Sequence, residues 1–73
     1  VRAGDLDMGI KHLREARLRS PRDAEIRYHL ASALHKAGKV NEARDELREA
    51  LRLALDFPEA GDARTLAKQL ELI

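Results

Sequence analysis

The sequence predicts an all-α fold, in which a helical hairpin repeats every 34 residues and a C-terminal capping helix ends the array. The tetrapeptide LREA starts at residue 13 and again at residue 47, and a shift of 34 residues places small residues on small ones and apolar residues on apolar ones. A period of this length is typical of stacked helical units, since a single unit cannot bury its apolar face alone. No segment alternates with period two, so no strand is expected.

The composition favours a small helical domain and excludes several kinds of site. In a chain of 73 residues, the only aromatic residues are Tyr28 and Phe57, so the core must be aliphatic. A net charge of +1 gives no overall field that would attract nucleic acid or an anionic membrane. The absence of cysteine excludes disulfides, thiolate metal sites and a cysteine nucleophile. No apolar run approaches the roughly 20 residues that cross a bilayer.

Residues 23–55 are expected to form one complete hairpin. The first helix begins after Asp23, a favourable N-cap, and runs to Ala37, where Gly38 ends it. The second helix begins near Asn41, after a short turn. The small residues Ala31, Ala43 and Ala50 are expected where the helices approach most closely. The apolar stripes consist of Ile26, Leu30, Ala31, Ala33, Leu34 and Ala37 in the first helix, and of Val40, Ala43, Leu47, Ala50, Leu51 and Ala54 in the second.

Partial units are expected on both sides of this hairpin. The segment Leu6–Arg19 matches the second helix of the unit, so residues 1–22 are interpreted as the second half of a repeat whose first helix is missing. Because the chain opens on valine, we expect it to be a piece of a longer protein. Residues 56–73 are expected to form the capping helix, with Leu66, Leu70 and Ile73 facing Leu51 and the helix that carries Leu47.

The missing helix would leave Met8, Ile10 and Leu13 partly uncovered. Exposed apolar surface of this kind tends to be buried by self-association, so a weak homodimer through the first helix is one expectation. The alternative is that Leu6–Arg19 docks fully on the next helix and the chain stays monomeric.

The 34-residue unit resembles the tetratricopeptide repeat. With Ala24 as the first repeat position, the family's signature positions carry Leu30, Ala31, Leu34, Gly38, Ala43, Leu47 and Ala50, and Pro21 falls near the end of the preceding unit. Arg27, Arg17, Arg19 and Gly9 depart from the pattern, and an arginine on an apolar stripe must reach solvent or find a carboxylate. The C-terminal part is also similar to the end of bacterial repeat lipoproteins associated with exopolysaccharide export and PEP-CTERM protein sorting.

The resemblance implies a module that binds or scaffolds other proteins, without catalysis. In tetratricopeptide repeats, the face of the first helix opposite the apolar stripe lines a peptide-binding groove, and the alternative is a polar face that binds nothing. The family's clamp for C-terminal carboxylates uses lysine and asparagine where Tyr28 and Ser32 stand, so such ligands are not expected. The predicted partner-binding residues are Glu25, Tyr28, His29, Ser32, His35 and Lys36.

Neither a metal or cofactor site nor a catalytic centre is predicted. His29 and His35 are six residues apart rather than four, and His12 lies on another helix. The hydroxyl residues belong to no nucleophile motif, and the chain has no glycine-rich phosphate loop.

The alternative function is phosphate or nucleic-acid binding by a basic cluster, which consists of Lys11, Arg14, Arg17, Arg19, Arg22 and Arg27. Acidic residues interrupt this cluster. Glu15 stands four residues before Arg19, and Asp7 stands four before Lys11, which is the spacing of surface ion pairs on a helix. A solvated helix surface is therefore favoured over nucleic-acid binding.

Overall fold

The computed structural model describes residues 3–54 and 57–72, and every regular element within those ranges is a helix. The helices are α1 (Ala3–Arg19), α2 (Ala24–Lys36), α3 (Val40–Leu53) and α4 (Ala60–Gln69). The most extensive packing is between α2 and α3, which form the expected hairpin, while α1 packs on α2 and α4 packs on α3. The prediction of an all-α helical repeat is confirmed. None of the helices in the described ranges is both long and apolar enough to span a bilayer.

The ends of α2 are set by the two residues that the sequence indicates. The Asp23 side chain accepts a hydrogen bond from the backbone N–H of Ile26 at 3.1 Å. At the other end, Gly38 has a φ of 79°. The N–H groups of Gly38 and Lys39 donate to carbonyl oxygens in the last turn of α2, at 3.1 and 2.9 Å. This is a Schellman cap, whose left-handed residue favours glycine.

The last helix is shorter than the apolar period predicts. It ends at Gln69, whereas the apolar pattern continues to Ile73, which lies outside the described residues. Glu71 has a φ of 59°, and the N–H groups of Glu71 and Leu72 donate to carbonyl oxygens in the last turn of α4, at 3.1 and 2.8 Å. A second Schellman cap therefore ends the helix, and it does so without a glycine that would mark it in the sequence.

One aliphatic core connects all four helices. Ala31, Ala43 and Ala50 are completely buried, as expected for residues at helix crossings. Leu51 packs against the same core, so the end of the hairpin and the last helix share one apolar cluster, as predicted. The buried members of this cluster are Ile10, Leu30, Ala31, Leu34, Ala43, Leu47, Ala63, Leu66, Ala67 and Leu70.

The exposed apolar surface of α1 differs from the prediction in one residue. Ile10 is only 3% exposed, because it belongs to the core and does not depend on a missing helix for its burial. The expectation that Ile10 is uncovered is therefore wrong. Leu13 is partly buried, while Met8 and Leu18 are exposed by 59% and 78%. The large apolar side chains that α1 leaves exposed are thus Met8 and Leu18.

Candidate functional site

A groove between α1, α2 and the segment that leads into α4 is the candidate site. It has a volume of about 300 Å³ and opens to solvent. Its lining combines aliphatic side chains with a phenol, an imidazole, a hydroxyl, an ammonium group and a carboxylate. Such a surface can hold an apolar side chain and form hydrogen bonds to the segment that carries it. The lining residues are Leu6, Leu13, Tyr28, His29, Ser32, Ala33, Lys36 and Glu59.

The structure brings together most, but not all, of the predicted partner-binding residues. Glu25 and His35 lie on α2 but do not line the groove. Sequence reasoning missed Leu6 and Leu13, which α1 contributes, and Glu59, which precedes α4. The spacing of Leu6 and Leu13, two helical turns apart, places them on one face of α1 and was the available signal. The predicted residues that line the groove are Tyr28, His29, Ser32 and Lys36.

Tyr28 is held on the groove surface by two rings. Its ring meets His29 edge to face, with centroids 5.5 Å apart, and lies tilted against Phe57 at 6.3 Å. Burial of the phenol, followed by the nearby carboxylates of Asp62 and Glu59, raises the pKa of Tyr28 above its ordinary value. The hydroxyl therefore stays protonated at neutral pH and can donate a hydrogen bond to a bound segment.

The imidazole of His29 lies beside two carboxylates at one end of the groove. Its Nε2 is 2.5 Å from Oε1 of Glu59. Glu25 stands one helical turn before His29 on α2, and the ligand-type atoms of the three side chains lie within 4.8 Å of one another. Sequence reasoning compared histidines only with each other and missed this set, although the four-residue spacing of Glu25 and His29 was visible.

Half of the basic cluster is engaged by carboxylates of α3. Arg14 forms an ion pair with Glu42 at 2.7 Å. Arg17 and Arg27 both bind Glu46, and the second of these contacts measures 3.0 Å. The arginines at positions 17 and 27 thus find the carboxylate that their place on an apolar stripe required. These contacts hold α1 and α2 on α3, which leaves fewer cations for phosphate and weakens the nucleic-acid alternative.

The helical spacing of Glu15 and Arg19, and of Asp7 and Lys11, does not produce ion pairs. Within the described part of the chain, neither pair lies within ion-pair distance. All four residues are exposed, and an exposed pair gains little because solvent screens it and both side chains lose freedom. Ion pairs between residues of one helix are seen instead on α3, where Arg48 pairs with Asp45 and Arg52 pairs with Glu49.

A comparison with known families identifies the family to which this helical architecture belongs. The family model for the tetratricopeptide repeat matches residues 1–69. The chain belongs to the tetratricopeptide-repeat family. The match extends over all four helices, and tetratricopeptide repeats generally mediate protein–protein interaction and are typically non-catalytic. No curated protein and no solved structure gave a significant match. The similarity to repeat lipoproteins stays a prediction.

Proposed function

We propose that this tetratricopeptide-repeat chain binds a peptide or protein segment in the groove between α1, α2 and the segment before α4, and that it catalyses no reaction. The observation that carries the proposal is the lining, in which aliphatic and polar side chains from three parts of the chain meet around one opening. Scaffolding modules bind through a few anchors in such grooves, while the surrounding contacts add complementarity.

The size and chemistry of the groove suggest the kind of segment that fits. A volume of about 300 Å³ is at the lower end of the range for ligand cavities, so it suits one large apolar side chain and the backbone beside it. Leu6, Leu13 and Ala33 provide the apolar contacts for that anchor. The hydroxyls of Ser32 and Tyr28 can bond the backbone, and the opposite charges of Lys36 and Glu59 can fix the direction in which the segment runs.

A peptide library displayed on phage tests this proposal, when it is selected against the chain in buffer with a metal chelator. Ser32→Arg places a long cationic side chain on the groove lining. Gln69→Arg is the matched control, because it adds the same side chain at an exposed position of α4 outside the groove. We expect selected peptides to lose about tenfold or more in affinity for Ser32→Arg, which corresponds to one anchor contact, and to bind Gln69→Arg like the parent.

Two results would contradict the groove proposal. Peptides that bind Ser32→Arg as tightly as the parent would place the binding surface elsewhere. A shift of labelled nucleic acid at moderate salt, lost on replacement of Lys11 and Arg22, would favour the basic cluster instead.

A further inference from the structure

We propose that Glu25, His29 and Glu59 bind a divalent transition-metal ion of the zinc class, which would link α2 to the start of α4. The three donors come from two parts of the chain that are far apart in sequence. Glu25 and His29 are separated by four residues on α2, so one helical turn brings them to the same face. The segment before α4 then brings Glu59 to them, and the three ligand atoms lie within 4.8 Å of one another.

The donor set is suited to zinc and less to magnesium or calcium. Zinc accepts imidazole nitrogen and carboxylate oxygen, with bonds of about 2.0–2.2 Å, whereas magnesium and calcium prefer oxygen ligands only. In a tetrahedral site of that size, neighbouring donor atoms are about 3.4 Å apart. The 2.5 Å contact between His29 and Glu59 must therefore open slightly, and the ligand atom of Glu25, which lies within 4.8 Å of both, must adopt the same spacing. Water would fill the fourth position, because the imidazole is half exposed.

The carboxylates of the three residues also lack the arginine partners that neutralise other carboxylates of the chain, as expected of a cation site. Carboxylates on α3 are neutralised by arginine, as in the pairs of Glu42, Glu46 and Glu49. By contrast, Glu25 forms no ion pair with a described residue, and the carboxylate of Glu59 pairs, among the described residues, with the imidazole of His29 and with no arginine or lysine.

The side chain of Glu59 does not cap α4. It is the N-cap residue of α4, yet its side chain makes no capping hydrogen bond. Its carboxylate can therefore serve as a metal ligand without loss of a helix cap. Because the site exists only when α4 is docked near α2, the metal would bind the folded chain preferentially and stabilise it.

The test is a calorimetric titration of the chain with Zn²⁺ at neutral pH, together with thermal melting followed by circular dichroism. We expect one ion per chain, and a rise in melting temperature of about 10–20 °C at a Zn²⁺ concentration 100 times the Kd. His29→Asn, Glu25→Gln and Glu59→Gln should each weaken binding at least about tenfold, since each removes one ligand. His35→Asn is the matched control, because His35 lies on the same helix outside the three-residue set.

The outcomes separate this site from the peptide groove. Absence of stoichiometric binding up to millimolar Zn²⁺ would overturn the metal proposal, as would binding that His35→Asn weakens as much as His29→Asn does. If only Glu59→Gln fails to fold, the zinc affinity of Glu25→Gln decides the test, because Glu25 lies at the start of α2 and not beside α4. His29 and Glu59 belong to both sites, but the peptide selection uses the unchanged chain with a chelator, so a failure of the metal proposal does not affect the test of the groove.

Discussion

Replacement of Glu46 tests the contact that joins three helices. Glu46 is almost buried on α3, with a side chain 11% exposed, and its two partners, Arg27 and Arg17, are 18% and 30% exposed. Arg27 is fixed further by a hydrogen bond from its Nε to the carbonyl oxygen of Pro21 at 2.8 Å. The carboxylate thus binds one arginine from α1 and one from α2, and its removal leaves both without their partner.

The expected loss in the free energy of unfolding follows from the hydrogen bonds that the substitution changes. Glu46→Gln keeps the shape of the side chain but removes its negative charge. The two arginines bind different carboxylate oxygens, and an amide has only one acceptor oxygen, so one arginine keeps a weakened hydrogen bond while the other faces the amide NH2 group. We assign a loss of about 1 kcal/mol to each of the two contacts. The sum of about 2 kcal/mol lies below the 3–5 kcal/mol typical of breaking a fully buried pair, because both arginines retain some contact with solvent. In a domain of this size, that loss lowers the melting temperature by about 10 °C.

Urea and thermal denaturation followed by circular dichroism measure this loss. Glu49→Gln is the matched control on the same helix, because the ion pair that Glu49 forms within the described residues is with the exposed Arg52. This variant should change the free energy of unfolding by less than about 0.5 kcal/mol. Replacing Glu46 by leucine while both arginines become methionine should restore most of the stability, since a well-packed apolar set can replace a buried ion pair. Equal stability of Glu46→Gln and Glu49→Gln would refute the reasoning.

Four further predictions concern packing and chain ends. Ala43→Leu should overpack the completely buried helix crossing and lower the free energy of unfolding by about 1–3 kcal/mol in urea denaturation; an unchanged midpoint would contradict the repeat register. Gly38→Ala should destabilise by about 1 kcal/mol and Glu71→Gly should stabilise by a similar amount, because both positions have positive φ; effects of the same sign would argue against two Schellman caps. Deleting residues 59–73 should expose the end of the hairpin core and abolish cooperative melting or cause oligomerisation, whereas an unchanged monomeric melt would remove the capping role. Sedimentation at increasing concentration should show weak dimers that Met8→Ser reduces, and a constant monomer mass up to millimolar protein would exclude them.

The parts of the fold that could be predicted are those determined by contacts between residues close together in the sequence. Asp23 and Gly38 mark the ends of α2, because each forms its cap with residues only a few positions away. The end of α4 could not be predicted in the same way, since Glu71 adopts a left-handed conformation that its residue type does not favour. The carboxylate partner of Arg17 and Arg27 could not be predicted from helical spacing either, because Glu46 lies 29 and 19 residues away along the chain.

The candidate site was predicted in part for the same reason. The helical period of α2 places Tyr28, His29, Ser32 and Lys36 on one face, and that face lines the groove. Leu6, Leu13 and Glu59 lie on other elements, and only the packing of α1 and α4 on the hairpin brings them there. Sequence periodicity describes one helix at a time, so it can identify the residues of a face but not the surface that meets it.

The most direct test of the proposed function is a map of backbone amide shifts for the chain with and without a selected peptide. If the groove binds the segment, the largest shifts should fall at its lining, at Leu6, Leu13, Ser32 and Lys36 in particular, and Ser32→Arg should abolish them. Shifts confined to the exposed face of α3 around Arg48, with the groove amides unchanged, would contradict the account.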